Sequence, residues 1–238
     1  MKDYLALTKP RVTWLILMST AVGYYFGLGG SWSLWVLFHT ILGTGLVASG
    51  TFTLNQWYER EADAKMRRTE DRPLPRGRIS PARALGFGVL LSLLGFAELS
   101  LGTNLLAGVL GAGTLASYLC LYTPLKQRSR HSTTVGAFPG AMPPLIGFAA
   151  ARGSLTAEAW ILFGILFLWQ FPHFYSIGWM YRDDYARAGI KMLPVVEPDG
   201  RSTARSERTV LRARGVLLSS VVYLPVLYGL MLLDRPGL

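Results

Sequence analysis

The sequence has almost no cysteine and little charge, and both shortages limit what the chain can be. The single cysteine, Cys120, excludes an intrachain disulfide framework and a metal site built on cysteines. Only 16% of the residues are charged, whereas 51% are hydrophobic. Acidic residues are especially scarce, with 14 of them against 24 lysines and arginines. A composition this apolar is unusual for a soluble globular protein and indicates a membrane protein.

Hydrophobic runs of about 18 residues or more recur along the chain, and runs of that length can cross a bilayer as helices. We predict seven of them, at roughly 12–30, 33–57, 82–101, 104–122, 132–151, 156–180 and 215–233. A soluble helical protein would contain one or two such runs, hardly seven. The predicted fold class is therefore an all-α polytopic membrane protein, with residues 1–238 forming a single transmembrane domain.

The cations concentrate on one side of the predicted spans. Of the 24 lysines and arginines, 22 precede the first span or follow spans two, four and six, and the exceptions are Arg152 and Arg235. This positive-inside pattern predicts that the N-terminus and these three loops face the cytoplasm. The net charge of +10 therefore reflects topology, and we expect no nucleic-acid partner. Because no leader precedes the first run, we expect a bacterial inner membrane protein.

The densest polar segment follows the second span and reads NQWYEREADAKMRRTEDRPLP, from Asn55 to Pro75. Asn55, Glu59 and Asp63 recur every four residues, so on a helix they drift by only about 80° and form a stripe about 12 Å long. Amide and carboxylate oxygens are suitable ligands for a hard cation such as Mg²⁺. The alternative is a solvated helix end whose acids pair with nearby cations of the same segment. The spacing alone leaves both interpretations open.

Two further cytoplasmic segments carry related groups. YRDDYARAGIKMLP follows the sixth span and contains Arg182 and Asp184, whereas YTPLKQR follows the fourth span and contains Lys126 and Arg128. Acids for a metal ion and cations for anionic oxygens, gathered at helix ends on one face, are typical of a diphosphate site. The apolar bundle behind such a site could hold a hydrocarbon tail. The sequence therefore predicts an enzyme that acts on a lipid diphosphate.

In these motifs the chain resembles the UbiA-type membrane prenyltransferases and, within them, the protohaem IX farnesyltransferase branch. The resemblance covers almost the whole chain and includes LTKPRV, the polar segment, YTPLK, GAFPGAMPPLIGFAAARG and FLWQFPHFYSIGWMYRDDYARAGIKMLPV. Asn-x3-Glu-x3-Asp combined with MRRT and RPLP is typical of this branch, as is WQFPHF followed by DYARAG. Relatives that act on aromatic acids or quinone precursors carry Asp where this chain has Glu59, and a second Asp-x3-Asp that is absent here.

The resemblance implies a UbiA-type helix bundle that transfers farnesyl from farnesyl diphosphate to a vinyl group of haem b. It implies that Mg²⁺ is bound together with the diphosphate by the catalytic residues Asn55, Glu59, Asp63 and Asp184. Phosphate oxygens would be bound by the cations Arg68, Arg72, Lys126, Arg128 and Arg182. His173 would contact the haem substrate, either at the iron or at a propionate. The implied surroundings are the lipid bilayer and the terminal-oxidase or haem A synthase machinery.

Two features depart from the family pattern. The usual Lys-Arg pair after YTPL is Lys126-Gln127 here, which would shift one phosphate contact to Arg128. The family has nine spans, so a chain with seven is expected to lack the last two.

Several alternatives stay open at this stage. The acceptor could be a quinone or aromatic precursor instead of haem, or the chain could be a truncated, non-catalytic haem-binding assembly factor. A transporter is disfavoured, because its ionisable groups would lie near the bilayer midplane and not at one face. His173 could also be a buried histidine bonded to a backbone carbonyl that Pro172 leaves free.

Overall fold

The computed structural model of the chain describes residues 1–30, 32–196 and 210–234, with side chains described from residue 212 onward in the last range. Within these ranges all regular elements are helices, which confirms the predicted all-α class. They are α1 Lys2–Leu7, α2 Pro10–Gly27, α3 Leu34–Asp63, α4 Pro81–Gly102, α5 Leu105–Ala116, α6 Thr123–Arg128, α7 Ser132–Gly140, α8 Pro143–Arg152, α9 Ala157–Met180, α10 Arg182–Arg187, α11 Leu193–Val196 and α12 Val210–Asp234. A π-helical turn, Ser117–Tyr122, joins α5 to α6.

Six helical segments of the described residues are long and apolar enough to cross a membrane. They are Leu34–Asp63, Pro81–Gly102, Leu105–Arg128, Ser132–Arg152, Ala157–Met180 and Arg212–Asp234, and they coincide with six of the seven predicted spans. The remaining predicted span, 12–30, overlaps α2, an 18-residue helix that also includes Pro10 and Arg11. These two residues and the hydroxyl side chains of α2 make it less apolar than the others. The count of about seven spans is therefore approximate.

Close helix packing in the bundle depends on small residues at two crossings. At the α3–α4 crossing, a Cβ on Gly50 would clash with Ser92 and with the carbonyl oxygen of Gly88. At the α2–α8 crossing, a Cβ on Gly147 would overlap the carbonyl oxygen of Thr20. Close approach through small residues is typical of helix pairs in membranes, where packing replaces the hydrophobic effect as the source of association.

The two ends of the bundle differ in their linkers. The linkers after α2, α4 and α8 are short, whereas α3 is followed by the long polar segment 64–80 and α9 by the short helices α10 and α11. The α1–α2 junction, the segment 64–80, α6 and the segment 181–192 lie at one end, which we call the loop end. The linkers after α2, α4 and α8 lie at the opposite end.

The segment 64–80 is folded against the helices around it. The Thr69 hydroxyl donates to the Asp63 carbonyl oxygen at 2.8 Å, which holds the beginning of the segment against the last turn of α3. Leu74 and Ile79 are buried with Leu7 of α1 and Ala84 of α4 in one hydrophobic cluster. Because these apolar anchors fix its course, the segment can hold its arginines in defined positions.

Candidate active site

The last turns of α3 present the predicted stripe of oxygen-bearing side chains inside the bundle. Asn55, Glu59 and Asp63 are only 1%, 8% and 1% exposed. Glu61, on the other side of the same helix, has a side chain that is 83% exposed. The alternative interpretation, a solvated helix end, therefore describes Glu61 but not the three residues of the stripe.

Each acid of the stripe pairs with a cation that comes from another element. Lys126 Nζ of α6 lies 3.0 Å from Glu59 Oε1, and Arg72 Nη1 of the segment 64–80 lies 2.7 Å from Asp63 Oδ2. Asn55 Nδ2 donates to the Thr123 hydroxyl at 3.2 Å. An unpaired charge would be costly at this depth, and these contacts offset the cost of burying both carboxyl groups.

Asp184 brings an acid from the second half of the chain to the same end. It is 9% exposed and forms an ion pair with Arg187 of its own helix, α10. One of its oxygens accepts a hydrogen bond from the backbone N–H of Arg68 at 3.3 Å. The Arg68 guanidinium in turn donates to the Tyr185 hydroxyl at 3.3 Å. These contacts tie α10 to the segment 64–80, so the first and second halves meet at the loop end.

The π-helical turn before α6 sets the direction of Lys126. A π turn accommodates one extra residue, and such turns are frequent at functional sites because they rotate the residues that follow. The Thr123 hydroxyl donates to the Tyr118 carbonyl oxygen at 2.9 Å, which satisfies a backbone group within the turn. The Lys126 ammonium lies over the Tyr122 ring, 4.5 Å from its centroid. Thr123 and Lys126 thereby both face the stripe on α3.

Two of the predicted phosphate-binding residues lie outside this cluster. Arg128 is exposed at the end of α6, and Arg182 is exposed at the beginning of α10. The Arg182 guanidinium lies over the Trp179 ring, 4.8 Å from its centroid, and its Nε is 3.7 Å from an Asp183 oxygen. Within the described ranges neither arginine contacts a buried acid, so the structure does not bring them together with Lys126, Arg68 and Arg72.

His173 lies in α9 and faces α12. Its Nδ1 is 2.9 Å from the Ser220 hydroxyl, and its ring stacks on Trp169 with centroids 4.6 Å apart. Trp169 Nε1 donates to the Ser220 carbonyl oxygen at 2.7 Å. The hydrogen-bond partner of His173 Nδ1 is thus the Ser220 hydroxyl. It is not a backbone carbonyl left free by Pro172, which was the alternative expected from the sequence. With Nδ1 engaged, Nε2 is the nitrogen that a ligand could use.

A cavity at the loop end is lined by Lys9, which in the sequence was only one of the 22 cations on that side. The cavity has a volume of about 350 Å³, and the polar side chains that line it are Lys9, Gln56, Arg68, Asp71, Arg72 and Arg78. Lys9 is half-buried, and its Nζ is 5.0 Å from the centroid of the Phe52 ring. Burial, reinforced by the nearby cations Arg72 and Lys126, lowers the pKa of the Lys9 ammonium to about 7, while Glu59 and Asp63 oppose the shift. The sequence signal was the motif LTKPRV, in which Lys9 directly precedes Pro10, but the motif alone gave the lysine no role.

The oxygen donors fit a magnesium ion that arrives with its ligand. No group of three or more His, Cys, Asp or Glu side chains is arranged to hold a metal ion in the part of the chain that the structure describes. Asn55, Glu59, Asp63 and Asp184 are nevertheless buried hard oxygen donors at the same end of the bundle. Mg²⁺ in proteins is commonly bound by one or two carboxylates and completed by phosphate oxygens and water. The donor set therefore fits a metal ion shared with a phosphorylated substrate.

The chain is similar to one family along most of its length. The model of the UbiA prenyltransferase family matches residues 16–236. A protein named protoheme IX farnesyltransferase from Solibacter usitatus (strain Ellin6076) is 58% identical, with 100% of both chains covered. One from Koribacter versatilis (strain Ellin345) is 44% identical over 99% of this chain and 94% of its own length. The human mitochondrial protein of that name is 44% identical over 81% of this chain and 43% of its own length.

Solved structures share the fold at low sequence identity. A UbiA homolog from Archaeoglobus fulgidus bound to DMAPP and Mg²⁺ has a TM-score of 0.69 and 18% identity, covering 93% of this chain and 85% of its own. A structure of digeranylgeranylglyceryl phosphate synthase has a TM-score of 0.69 and 18% identity, covering 97% of this chain and 78% of its own. At this identity the likeness shows the arrangement of the helices.

Proposed function

Because the chain belongs to the UbiA prenyltransferase family, we propose that it transfers the farnesyl group of farnesyl diphosphate to a vinyl group of haem b. The observation that carries the proposal is the pairing of buried acids with cations from other elements at the loop end. The acceptor follows from the protoheme IX farnesyltransferases, of which one is 58% identical over the whole chain. The product of this transfer is haem O.

The paired charges prepare the site for a metal diphosphate. When bound, Mg²⁺ would be held by Asn55, Glu59, Asp63 and Asp184, and it would neutralise charge on the departing diphosphate. Lys126 and Arg72 face these acids from separate elements, so each can turn from a carboxylate to a phosphate oxygen without unfolding a helix. Arg68 lies in the same cavity and can bind a phosphate oxygen as a charge-assisted donor.

The transfer needs no nucleophilic side chain. As the bond between the allylic carbon and the phosphate oxygen breaks, its electron pair leaves with the diphosphate, and the vinyl π-bond attacks the allylic cation. Water then adds to the cation formed on the haem side and loses a proton, which leaves a hydroxyethylfarnesyl group. The protein contributes orientation and charge stabilisation. The apolar helices must also exclude water until the new carbon–carbon bond has formed.

We assign haem contact to His173 as part of this proposal. The hydrogen bond between Nδ1 and Ser220 fixes the ring orientation and leaves Nε2 as the nitrogen available to a ligand. Replacing His173 by Ala should shift the Soret band of bound haem if the residue ligates iron. If it contacts a propionate instead, the substitution should weaken haem binding with little change in the spectrum. Unchanged haem affinity and spectrum would remove the assignment.

The chain is a multi-pass membrane protein, and we propose that its loop end faces the cytoplasm of a bacterial inner membrane. The support is the distribution of cations, 22 of 24 of which lie on that side of the predicted spans. A reporter fused after Arg78 should therefore give a cytoplasmic signal, whereas one fused after Gly153 should give a periplasmic signal. The reverse pattern would overturn the orientation. Contact with terminal-oxidase or haem A synthase machinery stays a prediction, which co-purification can test.

We also propose that the shortage of spans lies inside the chain and not at its end. The alignment with the Solibacter relative has 292 positions and covers both chains in full, whereas this chain has 238 residues. It follows that 54 of the aligned positions face gaps between the first and last residues of this chain. About 20 residues suffice for one transmembrane helix, so this difference can account for two spans. α12 would then correspond to the last span of the longer relatives.

The proposed function is tested by supplying purified protein with farnesyl diphosphate, Mg²⁺ and either haem b or mesohaem. Mesohaem has ethyl groups where haem b has vinyl groups, so it is a matched acceptor without the reacting π-bond. We expect haem b to gain the mass of a hydroxyethylfarnesyl group and mesohaem to stay unchanged. Prenylation of an aromatic acid or quinone precursor, with haem b unchanged, would move the function to another acceptor. No product from any acceptor would favour the non-catalytic assembly factor.

A further inference from the structure

We propose that Lys9 is an anion-binding residue of this site and contacts the phosphate oxygens of the diphosphate from the α1–α2 junction. The inference rests on the proposed function, since it names a further residue for the same ligand. It assigns a binding role to the first helix junction, which contributes none of the residues predicted from the motifs. Three observations carry it: the backbone at Lys9, the cavity that its side chain lines, and the charges around it.

The backbone at Lys9 is held in a conformation that its side chain disfavours. Lys9 has φ 48° and ψ 62°, and it is the one non-glycine residue with positive φ in the part of the chain that the structure describes. This left-handed conformation brings Cβ close to the following carbonyl oxygen. Such strain persists when surrounding structure enforces it, and it is concentrated at functional sites.

The surrounding contacts enforce this conformation on both sides of Lys9. Before it, the carbonyl oxygen of Leu7 accepts a hydrogen bond from Gln56 Nε2 of α3 at 2.7 Å, and the Leu7 side chain is fully buried. After it, the Thr13 hydroxyl donates to the Thr8 carbonyl oxygen at 2.8 Å across the junction. The chain therefore turns sharply at Lys9 and directs its side chain into the cavity beside the acidic stripe.

The charges around Lys9 are mostly positive: the cavity is lined by four cations and by one acid, Asp71, which pairs with Arg76. Arg72 and Arg78, which line the same cavity, form ion pairs with Asp63 and Asp3. Lys9 has no carboxylate within ion-pairing distance among the described residues, and its ammonium lies over the face of the Phe52 ring. A half-buried ammonium beside other cations creates a local positive potential that favours a multiply charged anion. The cations that line this cavity can bind a diphosphate, and Arg72 would then contact the diphosphate as well as Asp63.

A purely structural role for Lys9 makes a different prediction. If the side chain served only to pack its ammonium on Phe52, removing it would lower stability and leave anion binding unchanged. A glycine at this position separates the two roles, because glycine adopts positive φ without strain. The Lys9→Gly variant should therefore be at least as resistant to unfolding at the junction, yet bind diphosphate less tightly.

The experiment measures binding of inorganic diphosphate, in the presence of Mg²⁺, to the purified full-length chain. The variants are Lys9→Met, Lys9→Arg and Lys9→Gly, and the matched control is Lys2→Met, which removes an exposed cation from α1. Haem b binding is measured for each protein in parallel, because haem propionates are the other anions that a lysine could contact. Thermal unfolding in detergent reports on the fold of each variant.

We expect Lys9→Met and Lys9→Gly to raise the Kd for diphosphate about tenfold or more, with Lys9→Arg closer to wild type and Lys2→Met unchanged. Haem b affinity should be the same in all of them. The proposal is overturned if Lys9→Met and Lys9→Gly bind diphosphate as wild type does, if Lys2→Met is weakened equally, or if only haem binding is lost. Failure of the wild-type chain to bind diphosphate at all would instead count against the proposed function.

Discussion

Helix α3 carries buried or half-buried ionisable side chains near both ends, and their hydrogen-bonding partners differ between the two ends. Near its beginning, His39 Nδ1 lies 2.6 Å from Glu98 Oε2 of the neighbouring helix α4. Near its end, Glu59 and Asp63 pair with Lys126 and Arg72, which come from α6 and the segment 64–80. Both arrangements join a carboxyl group to a nitrogen-bearing side chain of another element, but their surroundings differ.

At the opposite end, packing surrounds the histidine of the pair, whereas Glu98 is half-buried. The His39 ring contacts Trp35, with centroids 4.2 Å apart, and a Cβ on Gly102 would clash with that ring. His39 and Glu98 are one base and one acid on two adjacent long helices, which suits a contact that holds α3 to α4. The loop end instead has several acids, additional cations and an adjacent cavity. The comparison supports the proposal that the second set exchanges partners with a ligand, whereas the first pair holds two helices together.

The largest expected effect of a single substitution is that of Asp63→Asn. Asp63 is 1% exposed, contacts Arg72 and belongs to the predicted metal-binding stripe. Its loss removes an oxygen charge needed in the transition state, so farnesyl transfer should fall by about 100-fold or more. Initial rates with haem b measure the effect, and Glu61→Gln, an exposed acid of the same helix, is the control. Equal activity of both variants would contradict the assignment of the stripe.

A somewhat smaller loss is expected for Lys126→Met. Methionine keeps much of the side-chain length over the Tyr122 ring but removes the charge that pairs with Glu59 and would bind phosphate. We expect a rate reduction of about 10- to 100-fold, in the range of losing one charge-assisted contact to the reacting group. The matched variant is Arg128→Met, which removes an exposed cation two residues later. A larger loss in Arg128→Met would restore that arginine to the site.

The smallest of these effects is a pH dependence that separates Lys9 from its arginine variant. The pKa of Lys9 is lowered to about 7, by burial and by Arg72 and Lys126, so the ammonium is charged below this pH and neutral above it. If the charged form binds the anion, diphosphate affinity should fall about tenfold from pH 6 to pH 8 through this group alone. Lys9→Arg stays charged throughout this range, so its affinity should fall less. The ratio of the two Kd values cancels the titration of diphosphate and of every group that the two proteins share. A constant ratio between pH 6 and pH 8 would contradict the prediction.

Much of the bundle and part of the site could be predicted because their signals are local. Long apolar runs identify spanning helices, and the spacing of Asn55, Glu59 and Asp63 identifies one face of a helix without knowledge of its partners. The structure places all three inside the bundle. Asp184 was also predictable, as an acid at the end of a long apolar run.

The parts that escaped prediction depend on contacts between distant segments. The left-handed backbone at Lys9 depends on the burial of Leu7 and its bond to Gln56, which is 49 residues away in sequence. The hydroxyl partner of His173 is Ser220, 47 residues away. Whether Arg128 and Arg182 face the cavity depends on the rotation of two short helices, α6 and α10. A π-helical turn changes that rotation before α6, and charge patterns do not report it.

The comparison between the two ends of α3 and α4 is tested most directly by two matched substitutions, Glu59→Gln and Glu98→Gln. Each replaces a hydrogen-bonded carboxyl group by an amide of the same shape, one at each end of the bundle. We measure farnesyl transfer to haem b per folded molecule, together with thermal unfolding in detergent. We expect Glu59→Gln to lose about 100-fold or more in rate while unfolding near the wild-type temperature, and Glu98→Gln to unfold at a lower temperature with its rate retained. Retained activity in Glu59→Gln, or loss of activity in folded Glu98→Gln, would contradict the assignment of chemistry to the loop end.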